Sequence, residues 1–536
     1  MRTIRFLLFG FVTLAMVTFS GCGADEQAAV GTGNASRGQG VYDKRCSQCH
    51  GADGDGDGPG ALFMYPRPRA FKDNSSYKFR STKGLPSDAD LFRVISEGIP
   101  GTSMPGFDVL PEQERWDLVA FIKSLSSDFR DPESLEDAVP FEELANAKAP
   151  ELQEGGLEQG KKIYEEQKCW QCHGKSGLGN GESWPELYFR KGMDDDGKVS
   201  KYQKRVFPGN LANPESFRNG STVEDIFRTI TTGVSPMPNY RDSLSVEQRW
   251  QLSHYVRSLG PAPKEQRDET IVAIRAETLP EGADDESWAD APVARFQTIA
   301  NVIEPPRLFW QSVEYVNAQA MYNEDSVVLR IQWDDRTESK GSNTAKTYSD
   351  WDTKLYMGTD HPDQMAVQFP SKLDPKKRPY FMLGWTKASV NLWWWRGDTG
   401  TLVERNAKGH TSISEQSERS QALKGAVSYA DGRYTMVVRR PLTTANTKGD
   451  IQFSTGVFVP ISFHIWDGHH GEVGQRRALT TWNWLYLKPE VPEDIYHLPA
   501  ALFIVVFLFL LGLVHYIRKT HAREDPAAPQ ASADEG

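Results

Sequence analysis

The chain repeats the pattern Cys-x-x-Cys-His, once at residues 46–50 and once at residues 169–173. Two thiols at this spacing lie about one helical turn apart, so they can add to the two vinyl groups of one porphyrin. The imidazole that follows is placed to bind the porphyrin iron. The pattern therefore predicts a covalently attached c-type haem at each motif. The predicted attachment residues are Cys46, Cys49, Cys169 and Cys172, and the predicted iron ligands are His50 and His173.

Two other kinds of site use paired cysteines. A zinc site can take four thiolates, and a thioredoxin-like site forms a disulfide within one pair. Zinc ribbons usually place their two pairs about 15–20 residues apart, whereas these pairs lie in separate segments more than 100 residues apart. A redox disulfide does not need a histidine after the second cysteine, and here both copies have one. Haem attachment therefore explains the pattern better than either alternative.

The sequence around the two motifs is also repeated. Each motif follows a short helical run that carries a tyrosine, Tyr42 or Tyr164, and each is followed by a glycine-rich stretch. Further on, each copy has a methionine next to proline, Met104 or Met237, and then an amphipathic segment that is typical of a helix. The shared order of these features indicates one helical domain written twice.

Both segments resemble class I cytochrome c domains. In that family the histidine of the motif is the proximal iron ligand, and a methionine in a later loop is the second axial ligand. The resemblance implies the pairs His50 with Met104 and His173 with Met237. A thioether is a soft ligand that favours ferrous iron and raises the reduction potential. Iron with both axial positions filled is suited to electron transfer, whereas catalysis at the iron generally needs an open position.

The fifth cysteine, Cys22, stands at the end of an N-terminal targeting segment. Residues 1–21 contain arginines, then an apolar stretch, and end in Ser20-Gly21. This order is typical of a secretory signal peptide, and the residues before Cys22 resemble a lipobox, after which the cysteine is diacylated. Phe19 stands where leucine is usual, and signal cleavage nearby without lipidation is the alternative. Both alternatives predict export, and covalent haem attachment takes place outside the cytoplasm.

A second apolar segment, residues 498–517, is about long enough to cross a bilayer as a helix. Basic residues follow it and acidic residues precede it, so the positive-inside rule places the tail, residues 518–536, in the cytoplasm. The rest of the chain would then lie on the periplasmic face of a bacterial cytoplasmic membrane. The sequence therefore predicts an anchor at the C-terminus, with a lipid on Cys22 as a second anchor.

Length and charge agree with an exported protein of several domains. The chain has 536 residues, enough for three or four domains, and its formal net charge of −11 argues against nucleic-acid binding. The predicted order is a signal peptide at 1–21, cytochrome c domains at 35–128 and 157–260 joined by an acidic linker at 129–156, a β-sandwich at 268–489, a transmembrane helix at 498–517 and a cytoplasmic tail at 518–536.

Strand-like alternation replaces the helical pattern between residues 268 and 489. Val327, Leu329 and Ile331 would share one face of a strand, and Ala430-Asp-Gly432 is typical of a hairpin turn. Runs of this kind, separated by turn residues, predict an antiparallel β-sandwich. The predicted fold is therefore multidomain, with two all-α cytochrome c domains, then an antiparallel β-sandwich, then one transmembrane helix.

The β region resembles the haem-binding domain of ethylbenzene dehydrogenase, where it forms the γ subunit beside a molybdenum subunit and an iron–sulfur subunit. The resemblance is carried by residues 318–325, 331–335, 363–370, 379–384, 390–393 and 466–468, continuing to Trp482. In the family, a methionine and a lysine hold a non-covalent b haem. Here Leu383 stands at the usual methionine position, and arginines stand where the lysine is expected, at 476 and 477. The alternatives are a sandwich without haem and a rearranged b haem site using Met382, His464, His469 or His470.

Together these features favour a membrane-anchored electron-transfer subunit with two c haems. It would resemble the γ subunit of a molybdopterin oxidoreductase of the nitrate, nitrite, chlorate or selenate type. Its partners would be molybdopterin and iron–sulfur subunits, and also a soluble cytochrome or a membrane quinone enzyme. Two alternatives remain: a di-haem enzyme, such as a peroxidase or thiosulfate dehydrogenase, and a ligand-binding sandwich whose haems relay electrons. No catalytic residue is predicted.

Overall fold

The computed structural model describes residues 31–61, 64, 67–72, 77–145, 147–183, 208–214, 217–234, 237–261, 268–308, 311–342, 345–348, 356–359, 361–374, 376–490 and 493–524. The chain divides into two compact units, Met1–Gly160 with Phe217–His254, and Lys161–Ser216 with Tyr255–Gly536. The predicted signal peptide, the predicted lipidation site Cys22 and residues 525–536 of the predicted tail lie outside the described residues.

Helices make up the segments that carry the two motifs. In chain order they are α1 (Ala35–Arg45), α2 (Ser47–His50), α3 (Asp88–Glu97), α4 (Glu112–Ser124), α5 (Pro132–Glu136), α6 (Glu142–Ala145), α7 (Gly156–Glu166), α8 (Trp170–His173), α9 (Val223–Thr232) and α10 (Val246–Ser258). The helical character predicted for both segments is confirmed.

The first unit is built around the contact between α1 and α4. A Cβ at Gly38 would lie 2.0 Å from the carbonyl oxygen of Asp117 on α4, so only glycine allows the two backbones to come this close. The Asp117 carboxylate accepts two hydrogen bonds, at 2.8 and 3.0 Å, from the Arg37 guanidinium on α1. These contacts place the buried Tyr42 ring against Phe121, with ring centroids 4.9 Å apart.

Helices α3 and α9 begin with the same hydrogen-bonded cap. At α3 the Ser87 hydroxyl accepts from the amide N of Asp90, and the Asp90 carboxylate accepts from the amide N of Ser87. Thr222 and Asp225 make the equivalent pair at α9. A cap of this kind stabilises a helix by about 1 kcal/mol and fixes where it starts. The sequence repeat is therefore also a repeat of local structure.

The acidic segment between the two motifs forms the short helices α5 and α6. Glu143 on α6 accepts hydrogen bonds from Arg241 at 2.9 Å and from Arg249 at 3.2 Å. The neighbouring Leu144 is buried in one cluster with Phe227 and Trp250, whose rings stack with centroids 3.8 Å apart. This segment thus packs against α9 and the first-unit part of α10.

Strands form most of the second unit. They are β1 (Thr270–Arg275), β2 (Ala294–Gln297), β3 (Ile299–Ala300), β4 (Tyr315–Tyr322), β5 (Ser326–Asp334), β6 (Ala345–Tyr348), β7 (Tyr356–Thr359), β8 (Gln364–Pro370), β9 (Val390–Arg396), β10 (Leu402–Ala407), β11 (Ser414–Glu415), β12 (Lys424–Ala430), β13 (Arg433–Pro441), β14 (Phe458–Trp466), β15 (Ala478–Leu479) and β16 (Asn483–Leu487). The main sheet runs in the order β11-β10-β9-β8-β14-β16-β1-β4-β5-β13-β12, and β6 pairs with β7 separately.

The main sheet curves over one apolar core. Trp333 on β5 and Trp395 on β9 are far apart in the strand order, yet their ring centroids lie 6.0 Å apart. Both belong to the same buried cluster, together with Tyr434 on β13. The two halves of the sheet therefore face each other, as the predicted sandwich requires. The pairing is mostly antiparallel, but β1 runs parallel to both β16 and β4, so the sheet is mixed.

Helix α11 (His497–Glu524) follows the β domain. Among the described residues, its segment His497–Thr520 is the one span long and apolar enough to cross a membrane, with a mean hydropathy of 2.6 and no buried residues. Side chains such as Phe503 and Phe509 are about 70% exposed. An apolar surface of this size is unfavourable in water. The helix can anchor the chain in a membrane, as predicted for residues 498–517.

Candidate haem sites

The first motif lies on the short helix α2. The amide N of Cys46 donates to the carbonyl of Tyr42 at 2.8 Å, and the amide N of Cys49 donates to the carbonyl of Cys46 at 3.0 Å. Both sulfurs therefore belong to one helical turn. Both residues are partly exposed, and none of the four described cysteines forms a disulfide. Free, accessible thiols on one turn are what attachment to a single porphyrin requires.

His50 is held with one ring nitrogen engaged. Its Nδ1 lies 2.8 Å from the carbonyl oxygen of Arg69, so Nδ1 carries the proton and the lone pair is on Nε2. The ring also stacks on Phe71, with centroids 4.6 Å apart. Burial lowers the pKa of His50, which favours the neutral imidazole. A neutral imidazole with an oriented Nε2 is the form that binds haem iron.

A buried tyrosine fixes the end of each motif. The Tyr42 hydroxyl donates to the carbonyl of Gly51 at 2.8 Å, and the Tyr164 hydroxyl donates to the carbonyl of Gly174 at 2.7 Å. Each acceptor follows directly after the motif histidine. Burial, as the largest cause, raises the pKa of both phenols, so both remain protonated donors. The repeated tyrosines therefore hold the backbone directly after each motif histidine.

The second motif, on α8, has the same arrangement within the second unit. The amide N of Cys172 donates to the carbonyl of Cys169 at 3.2 Å. The Nδ1 atom of His173 lies 3.0 Å from the carbonyl oxygen of Gly209, which again leaves the lone pair on Nε2. Burial lowers the pKa of His173 as well. Two thiols on one helical turn and one oriented imidazole thus fit one c haem at each motif.

The predicted methionine ligands follow α3 and α9 in equivalent loops. The carbonyl of Met104 accepts from the amide N of Ile99, and the amide N of Met237 donates to the carbonyl of Val234. Each helix ends at a glycine with φ near +70°, Gly98 or Gly233, where a Cβ would lie within 3 Å of the methionine loop. Met104 lies in the same unit as His50. His173 and Met237 belong to different units, so their pairing rests on the sequence repeat.

Comparison with known families agrees with this geometry. Residues 35–126 match the family described as cytochrome c, and residues 155–256 match the family described as cytochrome C oxidase, cbb3-type, subunit III. Each match contains one Cys-x-x-Cys-His motif, and together they imply two covalent haems. This protein is a di-haem cytochrome c. Residues 285–425 of the di-haem cytochrome match the family described as ethylbenzene dehydrogenase, which confirms the resemblance of its third domain.

Individual relatives cover different shares of the di-haem cytochrome. It is 25% identical over 214 residues to "Putative respiratory nitrate reductase heme subunit ORF7" of Haloferax mediterranei, covering 40% of this chain and 70% of that protein. It is 28% identical over 110 residues to cytochrome c of Tetrahymena pyriformis, covering 19% of this chain and 97% of that protein. It is 36% identical to a chain of the solved Kuenenia stuttgartiensis reducing HAO-like protein complex. The match covers 42% of this chain and 97% of that chain, with a TM-score of 0.37.

The loop that holds His173 contacts the ethylbenzene dehydrogenase-type domain. Arg336, just after β5, donates from Nε to the carbonyl of Gly179 at 3.1 Å and from Nη2 to the carbonyl of Pro208 at 3.4 Å. Pro208 directly precedes Gly209, the residue that holds the imidazole. The one sequence signal for this contact is that Arg336 directly follows residues 331–335, which resemble the ethylbenzene dehydrogenase family.

Three further hydrogen bonds connect this loop to the β domain. The side-chain amide of Asn210 donates to the Asp334 carboxylate at 2.6 Å. Asn213 accepts from the Arg295 guanidinium and donates to the Glu314 carboxylate at 3.4 Å. A small polar cavity of about 20 Å³, room for about one water molecule, lies beside these residues. The second haem loop is thus bonded directly to β-domain side chains.

The residues at the expected b haem position do not fit that group. Arg477 is fully buried and donates from Nε to Nδ1 of His464 at 3.0 Å, while Nε2 of His464 lies 3.3 Å from the Gln368 side-chain oxygen. Both imidazole nitrogens are therefore engaged, and a guanidinium cannot ligate iron. Nδ1 of His470 is bonded to Asp467 at 2.6 Å, and Met382 is buried.

Proposed function

We propose that this di-haem cytochrome is the membrane-anchored electron-transfer subunit of a molybdopterin oxidoreductase of the nitrate, nitrite, chlorate or selenate type. Molybdopterin and iron–sulfur subunits are its partners in the complex. Its electrons are exchanged with a soluble cytochrome or a membrane quinone enzyme. The bulk of the chain is periplasmic, α11 crosses the cytoplasmic membrane with residues 518–536 inside, and Cys22 carries a lipid.

The ligand sets suit electron transfer. When bound, each haem supplies a one-electron ferric/ferrous couple. The protein would hold His50 and His173 as neutral imidazoles and present Met104 and Met237 from the loops that follow α3 and α9. If a histidine and a methionine both bound each iron, little rearrangement would accompany oxidation and reduction. Peroxide or thiosulfate would then find no open position at either iron, which weighs against a di-haem enzyme.

The contact between the β domain and the His173 loop is the observation that carries the proposal. A domain of the ethylbenzene dehydrogenase type that only bound carbohydrate would have no need of this contact. Here Arg336 of the β domain donates to two carbonyls near His173. Asn210, in the loop next to His173, donates to Asp334 of the β domain. A partner subunit that docks on the β domain would therefore lie next to the second haem, which is a suitable exit or entry point for electrons.

Purification of the tagged full-length chain from its native membrane tests this proposal. We expect molybdenum and non-haem iron to co-purify in fixed ratio with two covalent haems, measured by elemental analysis and a pyridine haemochrome assay. As a control, a chain that ends before residue 493 should keep its partners, because α11 supplies only an anchor. Absence of molybdenum from both preparations would contradict the proposal, and turnover of peroxide or thiosulfate by the isolated chain would favour the enzyme alternative.

A further inference from the structure

Three aspartates from separate strands meet inside the β domain. Asp335 directly follows β5, Asp363 directly precedes β8, and Asp467 directly follows β14. One carboxylate oxygen of each lies within 4.8 Å of those of the other two. Their exposures are only 4%, 1% and 2%. Buried ionisable groups are rarely placed together unless something compensates their charge.

Two of the three carboxylates are held in fixed positions by donors. The Asp363 side chain accepts from the amide N of Ser339 at 2.6 Å, from the Tyr434 hydroxyl at 2.7 Å and from the amide N of Gly468 at 2.8 Å. Asp467 accepts from the amide N of His470 at 3.1 Å and from its Nδ1 at 2.6 Å. These bonds fix the direction of both carboxylates but still leave oxygen lone pairs available.

Asp335 is held differently. Its Oδ1 accepts from the amide N of Thr337 at 3.1 Å, but its Oδ2 is buried with no hydrogen-bond partner among the described residues. The buried hydroxyl oxygen of Thr337 also lacks a described partner. A buried acceptor without a partner is destabilising, and native proteins rarely keep one without a reason. A cation bound by this carboxylate would supply that reason.

A fourth carboxylate increases the local negative charge. Glu472 is 1% exposed, and its oxygens accept from the Ser312 hydroxyl at 3.1 Å and from the amide N of Asp467 at 3.3 Å. Asp335, Asp363, Asp467 and Glu472 are all buried, so their negative charges are poorly screened from one another. The cluster is therefore unfavourable when all four groups are ionised, and a bound divalent cation would remove most of this repulsion.

We infer that Asp335, Asp363 and Asp467 bind one Ca²⁺ ion inside the β domain. All three ligands are hard carboxylate oxygens, which Ca²⁺ and Mg²⁺ prefer. Mg²⁺ usually keeps several of its waters, whereas Ca²⁺ accepts six to eight oxygen ligands in irregular geometry. The low exposure of the three aspartates leaves little room for a hydration shell, and this favours Ca²⁺. The ion joins the turn after β5, which carries Arg336, to β8 and β14.

Metal analysis and thermal unfolding of the full-length, haem-loaded protein test this inference. Protein purified without chelator should contain about one calcium per chain. Removal of calcium with EGTA should lower the Tm of the β domain, followed by Trp fluorescence, and added Ca²⁺ should restore it where equal Mg²⁺ does not. Asp335→Asn should lose the bound calcium and the response of the Tm. This readout does not depend on a molybdenum partner, so it can fail independently of the proposed function.

Asp450→Asn is the matched control. Asp450 is also a fully buried aspartate of the β domain, but its carboxylate is bonded to Thr444, Gln416 and Asn446. This variant should keep its calcium even if its Tm falls. If the untreated wild-type protein contains no calcium and Ca²⁺ does not change its Tm after chelation, the inference is overturned. Equal stabilisation by Mg²⁺ would overturn the assignment to calcium.

Discussion

Loss of the Tyr42 hydroxyl should measurably destabilise the helices that carry the first haem motif. It is buried and makes one hydrogen bond, 2.8 Å long, to the carbonyl of Gly51. Tyr42→Phe removes this bond, and the carbonyl of Gly51 keeps only its 3.3 Å bond from the amide N of Gly54. Loss of one such hydrogen bond typically costs about 0.5–1.5 kcal/mol. At about 1.4 kcal/mol for each tenfold change, local opening should become about 2- to 12-fold more frequent. Hydrogen exchange with mass spectrometry on the full-length protein can measure this in peptides covering residues 35–51.

Tyr77→Phe is the control for this prediction. The Tyr77 hydroxyl is buried in the same core but has no hydrogen-bond partner among the described residues. Its removal should leave hydrogen exchange unchanged or slow it slightly, because no bond is lost. The reasoning would be refuted if Tyr42→Phe exchanged like the wild-type protein over residues 35–51. It would also be refuted if Tyr77→Phe accelerated exchange as much as Tyr42→Phe does.

Three further predictions concern the haems, the β core and the anchor. Met104→Ala or Met237→Ala should lower the potential of its own haem in a redox titration, because a soft ligand to ferrous iron is lost; an unchanged potential would remove that methionine as a ligand. Burial, then the charge of Arg477, lowers the pKa of His464 well below 6.5. Its neutral form therefore contributes stability that is complete above pH 6.5 and is lost as the pH falls below it, by up to about 1.4 kcal/mol per pH unit. His464→Gln should reduce this slope in denaturant titrations at several pH values, and an identical slope would contradict the assignment. Replacing residues 498–517 by a short polar linker should release the protein from membranes in a fractionation assay only when the signal up to Cys22 is also exchanged for one that is cleaved without lipidation. Release by the linker alone would contradict a lipid on Cys22.

Local features of the haem motifs could be predicted from the sequence. The cysteine spacing, the tyrosine before each motif and the methionine near proline are all short-range patterns, and the structure places them on equivalent helices and loops. The hairpin turn at Ala430-Asp-Gly432 was predictable for the same reason. Asp431 and Gly432 both have positive φ, as the turn requires, and they join β12 to β13.

Long-range relations could not be predicted in this way. The acceptor for His50 Nδ1 is Arg69, 19 residues further on, and nothing in the local pattern marks that carbonyl. The parallel pairing of β1 with β16 joins residues more than 200 positions apart. Asp335, Asp363 and Asp467 each lie in a family-like stretch of sequence, but only the folded sheet brings their carboxylates together. Sequence patterns predict local structure, whereas these sites depend on which strand ends meet.

The most direct test of the proposed function is rapid mixing of the native complex with each oxyanion while the haem c absorption bands are followed. If the chain is the electron-transfer subunit, nitrate, chlorate or selenate should oxidise its reduced haems, or nitrite should reduce its oxidised haems. This response should disappear when the molybdenum subunit is removed and return when that subunit is added back. The proposed function would be contradicted if the haems kept their redox state in the intact complex. It would also be contradicted if the haems of the isolated chain responded to the oxyanions equally well.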